Sequence, residues 1–285
     1  MNANLQRFTG FADTYDRYRP ALPLVIREIL SQLSGALHRP LRVVDIGAGT
    51  GLSTRLWKGF DAVVIGVEPS ADMRKAFAQA QALDPALGHI QFQEGTSTKT
   101  GLPDACADIV TVSQALHWME PEPTFAEITR ILRRGAVFAA IDCDWPPTIH
   151  PAIDLAFKAC MAKAKAVEYE GGISPSVRRW HKDQHLLRMR ESGRFGFTKE
   201  ILCHNRETGG GDRLIGLAQS QSTIAALLKR GLSEEEIGIS DLRKAAEKIL
   251  ADRLVPWWWS YRIRVGINDS ASVRVNEGNS NSQDA

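Results

Sequence analysis

Residues 41–51 read Leu41-Arg42-Val43-Val44-Asp45-Ile46-Gly47-Ala48-Gly49-Thr50-Gly51, a short apolar run closed by three glycines. Such a run is the pattern of a buried strand entering a tight turn. Glycines there let the backbone turn sharply and approach a ligand that a Cβ would block. Gly47 and Gly49 begin the spacing GxGxxG, but position 52 is Leu, so the loop reads GxGxG, and the Lys-Ser/Thr of a nucleoside-triphosphate loop is missing. Glu68 ends the next apolar run 21 residues after Gly47, where an acid can accept both hydroxyls of a ribose. A strand-helix turn without a ligand is the alternative, and Glu68 argues against it.

Outward from that loop, strand-like and helix-like patterns alternate. Upstream, Ile26, Ile29, Leu30, Leu33 and Leu37 predict an amphipathic helix ended by Arg39 and Pro40. Downstream, a helix is expected from Leu52 to Gly59, then strands at 62–67, 90–92, 107–112 and 136–141. Two helical stripes, Met73-Ala76-Phe77-Ala80 and Phe125-Ile128-Leu132, fall between them. Five strands by residue 142 predict an α/β fold, a doubly wound and mostly parallel sheet. From Trp145 the rhythm changes. Residues 146–195 read as a helical insertion or substrate lid rich in Lys, Arg and Ala. Residues 196–267 are expected to complete the sheet with C-terminal helices, and 268–285 to form a disordered tail.

The chain of 285 residues carries 35 Lys and Arg against 33 Asp and Glu, a formal charge of +2 that argues against nucleic acid as partner. Cys106, Cys143, Cys160 and Cys203 form no CxxC pair and read as reduced, mostly buried thiols. No apolar run reaches the length of a membrane span and residues 1–10 lack a signal-peptide core, so no membrane partner and a cytoplasmic location are expected.

The glycine loop and Glu68 resemble those of the class I S-adenosylmethionine (SAM)-dependent methyltransferases, in particular the small-molecule group with a UbiE-like (type 11) core. The likeness runs from about Phe8 to Asp142. It implies a Rossmann-like methyltransferase fold, 1–145 as SAM-binding core, and a methyl group moved from SAM to a small-molecule acceptor. The segment from Phe11 to Pro20 is similar to the one that covers the cofactor, which implies Tyr15 and Arg19 there. Asp45, Gly47, Gly49 and Gly51 match the motif for the amino acid end of SAM, Glu68 with Pro69 the ribose acid, and Met73 the apolar side chain packed on adenine. Gln93-Glu94-Gly95-Thr96-Ser97 is similar to the loop after the third strand, with Thr96 where the family places an acid. Ser113-Gln114-Ala115-Leu116-His117-Trp118 resembles the loop beside the methyl donor, implying Ser113 at the cofactor and Trp118 as pocket wall.

Methyl transfer from a sulfonium is an in-line displacement that needs alignment and exclusion of water more than a fixed catalytic residue. His117 is either a general base or, with Trp118, only a wall. No metal is expected. His181 and His185 have HExxH spacing, but Lys182 replaces the Glu, and the pair reads as a solvated helix face. Arg178, Arg179, Lys182, Arg188, Arg190 and Arg194 either attract an acidic acceptor or form a snorkelling exposed face. Asp142 and Asp144 would raise the Cys143 thiol pKa, which disfavours a cytosine-attacking thiolate. Asp142, Asp144 and Trp145 could border the substrate pocket, and Trp257-Trp258-Trp259 reads as a strand with one aromatic face buried. An NAD-dependent oxidoreductase and a non-catalytic SAM-binding protein remain as alternatives.

Overall fold

Seven strands organise the chain: β1 (Leu41–Ile46), β2 (Ala62–Val67), β3 (Ile90–Gln93), β4 (Ala107–Ser113), β5 (Leu132–Cys143), β6 (Phe197–Gly209) and β7 (Val255–Ile267). They belong to a computed structural model that describes residues 12–35, 40–172 and 178–268. Among these residues the strands form one sheet in the order β3-β2-β1-β4-β5-β7-β6. The four pairings among β1 to β5 are parallel, and β7 runs antiparallel between β5 and β6. The doubly wound, mostly parallel sheet expected from the sequence is therefore the fold.

Neighbouring residues in the central strands bury on opposite faces. Val43, Ile109, Val137 and Ala139 join one cluster, and Val44, Val110, Phe138 and Ala140 the other. Strands covered on both faces need continuous apolar runs, which is what the sequence supplies. The first face is packed by α2 (Leu24–Leu33), α3 (Ala71–Leu83), α5 (Pro151–Glu170), α7 (Gly211–Gln219), α8 (Ser222–Lys229) and α9 (Ile239–Leu250). The second carries α4 (Pro121–Ile131) and Met189 of α6 (His185–Glu191). A short helix, α1 (Ala12–Tyr18), packs on α7, where the Gly216 backbone gives the Tyr18 ring its room. Trp257 and Trp259 are wholly buried while Trp258 is 52% exposed, the period-two alternation of a strand with one aromatic face inward. No helix among the described residues is long and apolar enough to cross a membrane.

Several expectations are corrected. Residues 52–59 form no α-helix but a 3-10 turn over Thr54–Trp57, because the Ser53 and Thr54 hydroxyls are drawn back onto the Asp45 carboxylate. Helix α2 stops at Leu33, with Gly35 at φ +64°, instead of running to Arg39; Leu37 lies outside the described residues. Leu132, placed on a helix face, begins β5. Helices do occupy 151–170 and 185–191, yet the helical layer over the first face also draws on 211–250, the excursion between the paired strands β6 and β7. The tail expected from 268 on lies outside the described residues except for Asn268, whose side-chain amide donates to the Leu132 carbonyl at 2.9 Å.

Candidate active site

The carboxyl ends of β1, β2 and β4 converge on one cleft, as the topology of an open α/β sheet dictates. Gly47, Gly49 and Gly51 all have positive φ, +69°, +59° and +83°. The Gly47 N–H donates to the Val67 carbonyl at 2.8 Å, tying the loop to the end of β2. Glu68 follows directly. Its Oε2 accepts from the Gly49 N–H and its Oε1 from the Ser70 N–H, each at 2.9 Å. Burial raises the Glu68 carboxyl above its ordinary value, and those two N–H groups oppose the rise.

Asp45 stands behind the loop and not in the cleft. It is 1% exposed, with Oδ2 accepting from Ser53 Oγ and Thr54 Oγ1 and Oδ1 from Thr111 Oγ1, at 2.7, 2.7 and 2.8 Å. Burial raises its carboxyl as well, against those three hydroxyls. Gly51 faces the Phe77 ring. Both residues shape the loop from behind and neither lines the cavity.

The cleft has three compartments. One, of about 180 Å³, is lined by Tyr15, Gly47, Gly49, Glu68, Pro69, Met73, Gly95, Thr96, Ser113 and Trp118, ten of the residues singled out in the sequence. A larger one, of about 670 Å³, contains Arg19 and His117. A small one of about 50 Å³ lies beside them, and Tyr15 and Gln114 line all three. Among the described residues, the larger compartment is lined by Arg19, Lys158, Lys165, Arg179 and Lys182 and by no carboxylate. Trp145, Phe157 and Met161 supply its apolar wall.

The basic segment thus divides. Arg179 stacks over Trp118 at 4.5 Å, and Lys182 Nζ lies 2.7 Å from both Gln114 Oε1 and Asp142 Oδ1, so both cations turn into the cleft. Arg188 covers Trp180, and Arg194 pairs with Glu122 on the surface. Asp142 is held by Lys182 and Arg264, and Asp144 by Arg262, so only Trp145 of that trio reaches the larger compartment. The Cys143 thiol is pushed up to about 12, by burial before its acidic neighbours, so it supplies no thiolate nucleophile. Sequence reasoning missed Gln114 as a site residue. Its φ of +54° sets its side chain at the crossing of the compartments, and composition carries no signal for that.

His117 and Trp118 have ring centroids 4.8 Å apart, and His117 Nδ1 is buried without a hydrogen-bond partner. Burial first, then Lys182, His185, Arg179 and Arg19, drive its pKa well below 6.5. A ring that resists protonation fits a wall better than a general base. For His117→Ala we expect kcat within about fivefold of the wild type, with SAM affinity unchanged; a fall of a hundredfold or more in steady-state kinetics would restore the base.

His185 is not on a solvated face. It is 2% exposed, because α6 packs on β6 and β7, and burial pulls its pKa to about 4 despite the attraction of Asp142. A neutral buried imidazole contributes stability that is complete above its unfolded pKa near 6.5 and lost as pH falls through 4. That window corresponds to about 3 kcal/mol. Thermal melts from pH 7.5 to 4 should therefore fall less steeply in His185→Leu than in the wild type, and parallel curves would exclude His185 as the sensor.

Residues 44–140 match the family model described as a methyltransferase domain. The chain is 37% identical over 130 residues to an uncharacterized methyltransferase of Mycobacterium tuberculosis, covering 45% of this chain and 48% of that protein. It is 33% identical over 135 residues to the malonyl-[acyl-carrier protein] O-methyltransferase of Pectobacterium atrosepticum, covering 47% and 50%. The chain thus spans about half the length of the curated relatives it matches. In fold it is similar to a candidate type II methyltransferase of Anaeromyxobacter dehalogenans, with TM-score 0.59 and 22% identity over 88% of this chain and 98% of that one.

Proposed function

We propose that this chain, which carries a class I SAM-dependent methyltransferase domain, moves a methyl group from SAM to a small acidic molecule. The observation that carries the reading is Glu68, buried at the end of β2 and clamped across the glycine loop to Gly49, at a compartment that opens into a larger cationic one.

The residues present fit SAM. Each Glu68 oxygen accepts one N–H and keeps a lone pair for a ribose hydroxyl. A Cβ on Gly49 would meet no protein atom within 4 Å, so its open face lies toward the compartment and can admit the amino acid end. Met73 and Pro69 offer adenine an apolar surface, with Gly95 and Thr96 beside them. Ser113 and Tyr15 close the compartment on the side of the acceptor. SAM supplies an electrophilic methyl on a sulfonium. The protein aligns the acceptor and keeps water out, the helix of 151–170 and residues 179–182 serving as the lid. The cations Arg19, Arg179 and Lys182, the last paired with Asp142, line the larger compartment and favour an anionic acceptor. Reduced thiols at Cys106, Cys143, Cys160 and Cys203 suit the cytoplasm.

Calorimetry with SAM and with NAD tests the cofactor. We expect SAM to bind and NAD not to. Heat with NAD alone would replace the reading by an oxidoreductase, and SAM binding without S-adenosylhomocysteine from any metabolite extract would leave a SAM-binding protein.

A further inference from the structure

Gln114 ends the stretch that leaves β4, and its backbone is pinned by an N–H donated to the Ile141 carbonyl at 2.8 Å. Its amide has one orientation. Lys182 Nζ, 2.7 Å from Oε1, has only hydrogens to offer, so the oxygen faces Lys182 and the NH2 faces away. Lys182 is itself fixed by Asp142 at 2.7 Å, and Asp142 by Arg264, 3% exposed, at 2.8 Å. The outward Nε2 is buried and has no acceptor. A buried donor left unmet in a rigidly held side chain points to a ligand oxygen. Gln114 lines every compartment, so that oxygen would sit where the cofactor space meets the acceptor space.

The rest of the crossing favours the same ligand. Arg19 lies between the rings of Tyr15 and Trp145, 4.5 and 4.8 Å from their centroids, and bonds Ser220 Oγ and the Ser220 carbonyl, with no acidic partner among the described residues. An acceptor that had to lose a proton would need a base. Among the described residues no carboxylate lines the larger compartment, and His117 stands among cations that oppose its protonation.

We propose that the acceptor is a carboxylate with an apolar or aromatic body, that it is methylated on its own carboxyl oxygen, and that Gln114 Nε2 and Arg19 hold that carboxylate at the crossing. This rests on the methyl-transfer reading above. The carboxylate oxygen forms the new C–O bond as the methyl–sulfur bond breaks, and the electron pair of that bond stays on sulfur. The products are a methyl ester and S-adenosylhomocysteine, and no proton changes hands. The body of the acid lies along Trp145, Phe157 and Met161.

The test uses the full chain with methyl-tritiated SAM and the low-molecular-weight fraction of a cell extract. Mild alkali should release the transferred label as volatile methanol, as an ester requires. Label that is transferred but stable to alkali, on nitrogen, carbon or an ether oxygen, overturns this inference and leaves methyl transfer standing. No transferred label overturns both. Saponifying the ester returns the acceptor acid for the second arm. There Gln114→Glu, which sets a like charge against the acid, should raise the acceptor KM at least tenfold without a matching loss in the SAM Kd from calorimetry, since its charge does not repel a sulfonium. An unchanged KM removes Gln114 from recognition.

Discussion

Glu68→Ala is expected to weaken SAM binding at least a hundredfold by calorimetry. Hydrogen bonds to a charged group contribute roughly 1.5–3 kcal/mol each, and a ribose brings two hydroxyls to this one carboxylate. The substitution also strips the Gly49 and Ser70 N–H groups of their acceptor, so the glycine loop loses the clamp that holds it to β2. Glu68→Gln keeps one acceptor and should fall between. Since burial raises the Glu68 carboxyl, SAM affinity should begin to fall, as pH is lowered, at a higher pH than an ordinary glutamate would give. An alanine variant that binds SAM as tightly as the wild type would end the ribose assignment.

Gly51→Ala should be the most destabilising small change in the loop. Its φ of +83° is a left-handed conformation that costs a residue with a Cβ about 1–3 kcal/mol, and the added carbon would enter the Phe77 ring. That ring cannot retreat. It stacks on Phe92 with centroids 3.9 Å apart and planes 14° apart, and Phe92 in turn lies against the bare backbone of Gly66. Overpacking adds about 1–3 kcal/mol, for roughly 2–6 kcal/mol in all. The melting temperature should drop by about 5–15 °C, and a drop under about 2 °C would mean that Phe77 moves aside.

The sheet was legible because parallel strands covered on both faces must be mainly apolar, as the runs at 41–46, 62–67 and 107–112 are. Glycine spacing and an acid at a fixed distance pointed, for a similar local reason, to the compartment that Gly47, Gly49 and Glu68 line. What failed were features decided across the sheet. Asp45 reads as a ligand because it precedes the glycines, yet Thr111 on the neighbouring strand takes one of its oxygens and Ser53 and Thr54 the other. His185 reads as solvated among its charged neighbours, and only the docking of α6 on β6 and β7 buries it. Gln114 owes its place to a backbone angle and a lysine 68 residues away in sequence.

The placement of β7 also governs how the chain is made. This strand is the last of the described elements to leave the ribosome, yet it lies inside the sheet, between β5 and β6. Strands β1 to β5 can pair as they emerge at about 5–20 residues per second. Strand β6 cannot, because among the described residues β7 is its sole neighbour and three helices are synthesised between them. Until then its N–H and C=O groups are a template for foreign strands. Arrival of β7 satisfies both edges at once, and its Tyr261 hydroxyl then donates to the Ala21 carbonyl at 2.9 Å, drawing the beginning of the described chain onto its end. Completion of the cleft, whose small compartment Tyr261 lines, is thereby coupled to the arrival of β7.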